Sequence, residues 1–144
     1  MSATNELSDG LIDRLVSAGI GVKLASGKFA STDTAIVMQT LPQTPDNAIA
    51  ITIYPGSDDP TLSDSVAKVQ IMARWGGSDP RPTNDLTDAV FDAFQNLGAT
   101  LSTGIVVQQI TRISGVPLGK DDNQRWLRSE NYAVKFWRPS TFRE

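Results

Sequence analysis

The run VAKVQIMARW, Val66 to Trp75, decides what kind of fold this chain adopts. Val69, Ile71, Ala73 and Trp75 fall on one side of a two-residue period, and Lys68, Gln70, Met72 and Arg74 fall on the other. That is the pattern of a strand with one buried face and one wet face. A sheet built from such strands needs cover on one side only.

The flanking sequence supplies both more strands and the cover. Upstream, AIAITIY (Ala48–Tyr54) alternates in the same way, with Ile49, Ile51 and Ile53 set against Ala50, Thr52 and Tyr54. It follows the turn PQTPDN, and AIVMQTL before that turn is a further short strand. PGSDDPTLSD, between the two alternating runs, reads as an acidic loop. Downstream, GIVVQQITRI and NYAVKFW read as two more strands. VPLGKDDNQRWLRSE, which separates them, reads as a charged, glycine-punctuated loop. Near the start, Leu7, Leu11, Ile12, Leu15 and Val16 form one apolar helical stripe that Gly19 closes. Leu86, Val90, Phe94 and Leu97 form a second stripe, with a cap expected at Thr83 or Asn84 and an end at Gly98. Gly21 to Thr34 reads as a loop. The order is helix, three strands, helix, two strands. It predicts a single α+β domain over residues 1–144, a two-layer sandwich in which both helices cover one face of a mixed or antiparallel sheet of four to five strands. The polar phase, with Lys68, Gln70, Arg74, Gln108 and Arg112, then meets water, a loop or another subunit. Trp137, inside a strand, is expected in the core.

Composition removes most chemistry. The 144 residues contain no cysteine and no histidine. Disulfides, zinc–thiolate sites and thiol nucleophiles are excluded, and so are the commonest general base and transition-metal ligand. GVKLASGKF, Gly21 to Phe29, is not a phosphate loop. It has five residues between its glycines, Phe29 where a Ser or Thr must hold magnesium, and a helix rather than a strand before it. The pairs Asp58–Asp59 and Asp121–Asp122 could face a hard cation. Counted from Asp121, however, the sixth and twelfth residues are Trp126 and Tyr132 where a calcium loop needs Gly and Glu. Glu6, Asp9 and Asp13 share a helical face as solvating carboxylates do. Ser129, Glu130 and Lys120 lack the spacing of a nucleophile site. The expectation is no enzyme, no cofactor and no metal.

No stretch is long and apolar enough to span a membrane, and the acidic start lacks the pattern of a secretory signal, so a soluble protein made in the cytoplasm is expected. Residues 1–66 hold eight acids and three bases, while residues 67–144 hold eight acids and ten bases. This is too little positive charge for a duplex-binding stripe. Two oppositely charged faces would suit head-to-tail contact between like subunits. Trp75 and Trp126, beside glycine or charge, are the aromatics most suited to contact.

The order of LPQTPDNAIAITIYPG, VAKVQIMARWG, LTDAVFDAFQNLG and PLGKDDNQRWLRSENYAVKFWRP resembles the tail terminator proteins of long-tailed phages. The last block, with Leu118–Gly119, Asp121, Arg125 and Asn131–Tyr132, carries most of the likeness, and Gln124 stands where relatives have glycine. The resemblance implies a homo-hexameric ring on the head-proximal end of the tail tube. That ring ends tube polymerisation, presents a surface to head-completion or stopper proteins, and lets genomic DNA pass through its lumen without specific binding. An acidic first half would suit such a lumen. It implies a protein assembled in the host bacterial cytoplasm and residing in the virion, with no membrane partner. Arg74, Trp75, Lys120, Asp121, Asp122, Arg125 and Trp126 become the candidate subunit or tube contacts, while Asp121 and Arg125 could equally brace their own turn. The alternatives are a different head–tail connector part or a small nucleic-acid-binding module.

Overall fold

A computed structural model describes residues 2–24 and 26–144; Met1 and Ala25, the latter inside the stretch read as the Gly21–Thr34 loop, lie outside the described residues. The elements run α1 (Ala3–Ser17), β1 (Ala35–Met38), β2 (Ala48–Asp58), β3 (Asp64–Trp75), α2 (Arg81–Phe94), β4 (Ala99–Thr100), β5 (Val106–Lys120) and β6 (Trp126–Trp137). The strands form one curled sheet in the order β1-β2-β3-β6-β5-β4, a half-barrel rather than a flat layer. β1 pairs parallel with β2, and the other pairs are antiparallel. The class is the α+β one expected, but the sheet has six strands and not four to five. The addition is β4, two residues long and too short to leave a periodic trace.

α1 starts where the Ser2 hydroxyl accepts from Asn5 N at 3.1 Å, and it ends before Gly19, whose φ of 77° takes the left-handed conformation that stops a helix. Gly10 is there for closeness. A Cβ at that position would lie 2.8 Å from Leu101 Cβ, so only glycine lets the helix approach the Leu101–Thr103 segment. Leu7, Leu11, Ile12 and Leu15 of α1, with Leu86, Val90 and Phe94 of α2, cover Ile49, Ile51, Val69, Ile71, Tyr132 and Val134 of the sheet. Phe94 meets Tyr132 edge-on with ring centroids 5.5 Å apart. Each such side chain, taken out of water, stabilises the fold by about 1.5–3 kcal/mol before entropy is counted.

Three boundaries differ from the sequence reading. α2 begins at Arg81, with Pro82 in its first turn and Asp79 accepting from Arg81 N at 3.0 Å; Thr83 is buried instead of capping. The helix ends at Phe94, and the left-handed residue past it is Asn96, not Gly98. Half of the PGSDDPTLSD stretch is strand, with Pro55–Asp58 ending β2 and Asp64 opening β3. β1 stops opposite Ile51, so β2 beyond that point has a strand neighbour on one side only, where Pro55 is tolerated and a bulge at Gly56 shifts the register against β3.

The largest difference is the hairpin of β5 and β6. The charged stretch read as a loop is two strand ends joined by a turn at 121–125. Bulges leave Gln108, Ile113 and Leu118 without partners on β6 and shift the side-chain phase of β5 each time. Val107 and Ile110, three apart, therefore both face the core. Arg112, expected on the wet face, sits opposite Tyr132 with its guanidinium 4.3 Å from the Phe91 ring centre. Trp137, expected in the core, ends β6 49% exposed, beside a hollow it shares with Ala3 and Glu6 of α1.

Candidate assembly surfaces

The seven residues singled out in the sequence gather at one end of the sheet. Trp75 pairs with Trp126 across β3 and β6, and Trp126 pairs with Lys120 across β6 and β5, so the three stand in one row. The Lys120 ammonium lies 4.9 Å from the Trp126 ring centre, within cation–π range. Asp121 and Asp122 begin the turn just beyond.

The two arginines turn inward. Arg74 follows the polar phase of β3, yet only 3% of it is exposed, because the Pro42–Asn47 segment folds over it. Its Nε donates to the Asp46 carbonyl at 2.8 Å, and its Nη2 donates to the carbonyls of Pro42 at 2.5 Å and Pro45 at 2.8 Å. A planar fork suits this task, since one rigid group satisfies three main-chain oxygens that no helix or sheet serves. Burial, reinforced by the charge of nearby Arg125, moves the Arg74 guanidinium below its ordinary range, while Asp121 and Asp46 oppose the shift.

Arg125 completes the clamp. Its Nη1 donates to the Gln43 carbonyl at 2.6 Å and stands 3.5 Å from an Asp46 carboxylate oxygen, and its Nε donates to Asp121 Oδ2 at 2.8 Å. Asp121 Oδ1 also accepts from the main-chain N–H groups of Asn123 and Arg125, at 2.9 Å each. Burial pushes the Asp121 carboxyl upward, but these donors outweigh it and hold the group below the usual carboxylate range. Gln124 closes the turn with φ of 61°, a conformation that favours glycine, the residue the resemblance put there. The i, i+4 spacing of Asp121 and Arg125 thus marks a braced turn that also ties down the Pro42–Asn47 segment.

A second polar group, weighed in the sequence only as part of a nucleophile site, is a buried carboxylate. Glu130 faces the core side of β6, 1% exposed, with Oε1 accepting from Arg128 Nε at 3.1 Å and forming a longer ion pair with Arg112 Nη1 at 3.9 Å. Gly115 stands opposite it in register, and a Cβ there would come within 1.8 Å of Glu130 Oε2. The glycine that read as loop punctuation is the space the carboxylate occupies. No group of three or more His, Cys, Asp or Glu side chains is arranged to hold a metal among the described residues. Asp59 spends its carboxylate on the N–H groups of Thr61 and Leu62, and Asp58 takes the Ser65 hydroxyl.

Large apolar side chains also stand exposed. At the turn end, the outer stretch of β5 exposes Ile113, Val116 and Leu118, each about half. At the opposite end lie Leu62, Val106, Trp137 and Phe142, the last 93% exposed. Phe142 leaves no periodic trace in the sequence, since it sits in the short C-terminal segment past the last strand.

The domain binds two of its buried arginines, Arg74 and Arg125, to its own loop carbonyls and leaves large apolar side chains exposed at both ends of its sheet. The chain belongs to the bacteriophage tail terminator proteins, the family whose model matches residues 15–137. Its fold is similar to that of a chain in the virion of a native gene transfer agent particle, with a TM-score of 0.65 at 13% identity over 95% of this chain and 99% of that one. No curated protein matches the sequence. The family makes this a structural protein of the virion, working among other components of the tail or of its junction with the head.

Proposed function

We propose that the protein closes as a homo-hexameric ring on the head-proximal end of the tail tube, ends addition of tube subunits and offers its other side to a head-completion or stopper protein. The role is non-catalytic, assembly takes place in the host cytoplasm, and genomic DNA passes through the ring without sequence-specific contact. The observation that carries the reading is the family match across residues 15–137. The unlike surfaces at the two ends of the sheet are what a part lying between different neighbours needs.

Within this reading the turn end supplies contacts through Trp75, Lys120, Asp122 and Trp126. Arg74, Asp121 and Arg125 act one step back, by holding the Pro42–Asn47 segment and the 121–125 turn in the shape a neighbour meets. The test is co-assembly with the purified tail tube protein. Tubes grown in its presence are expected to stop short and to carry a ring at one end in projection images. Tubes of unchanged length without end density would refute the reading.

A further inference from the structure

The arm of β5 beyond Arg112 leaves apolar side chains in water that a different register would cover. Up to Arg112 the strand is fixed from both sides. β6 pairs along one edge, and on the other Asn96 N donates to the Ile110 carbonyl at 2.7 Å while the Gln95 side-chain oxygen accepts from Arg112 N at 2.8 Å. Past that point β6 is the one strand partner among the described residues, so pairing with β6 sets which way each side chain of the arm points.

The bulge at Ile113 is where the register is chosen. With it, Ser114 stands opposite Asn131, Gly115 opposite Glu130 and Val116 opposite Ser129. Continuing from the Arg112–Tyr132 pair without a bulge would set Ser114 opposite Glu130 and Val116 opposite Arg128, and, carried on to the turn, Leu118 opposite Trp126. Opposed residues share a face, and Trp126, Arg128 and Glu130 alternate onto the side that the helices cover. The unbulged register would therefore turn Val116 and Leu118 inward, and burial of apolar area alone favours it. The fold takes the other register and leaves Val116 48% and Leu118 47% exposed.

Glu130 supplies the reason. A Cβ on the residue opposite it would stand 1.8 Å from Oε2 and 2.6 Å from the carboxyl carbon, and Ser114 would bring such a Cβ. The carboxylate cannot step aside without leaving its ion pair, since Oε1 accepts from Arg128 Nε at 3.1 Å and the residue is 1% exposed. Of Ile113, Ser114, Gly115 and Val116, glycine alone fits in that place, and bringing it there takes one extra residue on β5.

We infer that Glu130 and Gly115 together select the bulged register of the outer β5 arm, and that this selection holds Val116 and Leu118 outward. Glu130 is in this a positioning residue, acting through the strand opposite, and the inference stands independently of the proposed ring. The chain has no native cysteine, so Val116→Cys supplies a single thiol whose alkylation rate reads which way position 116 points. In that background, Ser114→Gly/Gly115→Ser moves the space by one residue while leaving Glu130 and the composition untouched. The arm is expected to lose its bulge: alkylation slows at least tenfold, and cross-strand contacts seen by NMR pass from positions 115 and 130 to positions 114 and 130. Glu130→Ala removes the obstacle by another route and is expected to slow the same thiol, whereas Glu130→Gln keeps the volume and is expected to leave it fast. A fast thiol with native cross-strand contacts in the exchanged variant or in Glu130→Ala would overturn the inference, and so would slowing in Glu130→Gln. If the exchanged variant does not fold, Glu130→Ala decides by the same two readings.

Discussion

The two ends of the sheet use their side chains in opposite ways. At the turn end, Arg74 and Arg125 look from the sequence like cations set out for a partner, but they are folded under the Pro42–Asn47 segment and bonded to its carbonyls. At the C-terminal end the Arg143 side chain is largely covered, and its work is to hold Phe142 in the open. Both ends spend arginines on loops without regular secondary structure, for a common reason: such loops carry main-chain oxygens that nothing else satisfies. The difference lies in what each arginine supports. At one end it is a closed cover, at the other a presented ring, so charge in a sequence is a poor guide to which surface is free for a partner.

That contrast breaks most decisively at Arg74. Arg74→Ala leaves three carbonyls under the cover without a donor and is expected to cost about 2–4 kcal/mol in urea unfolding. Arg74→Lys should recover little of it, because an ammonium lacks the planar fork. Unchanged stability with lost assembly would instead make Arg74 a contact residue. Next in size is Gly115→Ala, expected to cost about 1–3 kcal/mol because Glu130 must leave its place. Removing the carboxylate as well, with Glu130→Ala, should make the glycine substitution far milder, a coupling that a double-mutant cycle reads directly.

Asp121→Asn tests the brace through pH. The folded state holds this carboxyl below its ordinary 3.8, so the ion pair stabilises fully above that pH and fades as the pH falls through the folded-state value. The variant is expected to melt below the wild type at neutral pH, by about 0.5–1 kcal/mol for a partly exposed pair, and to converge with it in acid. A gap that does not narrow at all as the pH is lowered below 3.8 would assign the loss to something other than the charge. The smallest effect is expected at Gln124→Gly. Relief of the positive φ is offset by the greater freedom of glycine in the unfolded chain, for a net gain of at most about 1 kcal/mol. Destabilisation there would mean that the Gln124 side chain matters more than its backbone.

The legible parts of the fold are those where one period runs unbroken through a buried face. α1 reads correctly from Leu7 to Gly19 because its stripe and its glycine stop are local features. β3 reads correctly because it lies inside the sheet, with a partner on either side to hold its alternation. β5 is misread because most of its length is an edge: glycine, proline and bulges are tolerated there, and they erase the period by which strands are recognised. The same bulges move Arg112 from the wet face to the Phe91 ring. The structure brings the candidate residues to one end of the sheet through the register Trp75–Trp126–Lys120, a juxtaposition absent from the sequence reading. Which of them point outward depended on the Pro42–Asn47 cover, whose position no local pattern encodes.

By itself the sequence determined the α+β class, the two apolar helix faces, the absence of cysteine and histidine chemistry, and an order of motifs sufficient to suggest the family. These depend on residue type and short-range spacing, quantities that a linear string carries in full. Only the tertiary structure decided that the long charged stretch is a hairpin, that Glu130 fills the space left by Gly115, that two arginines are spent on a loop, and that Phe142 stands clear of the fold. Each of those outcomes is set by residues distant in sequence competing for the same volume or the same donor, and that competition exists only once the chain has folded.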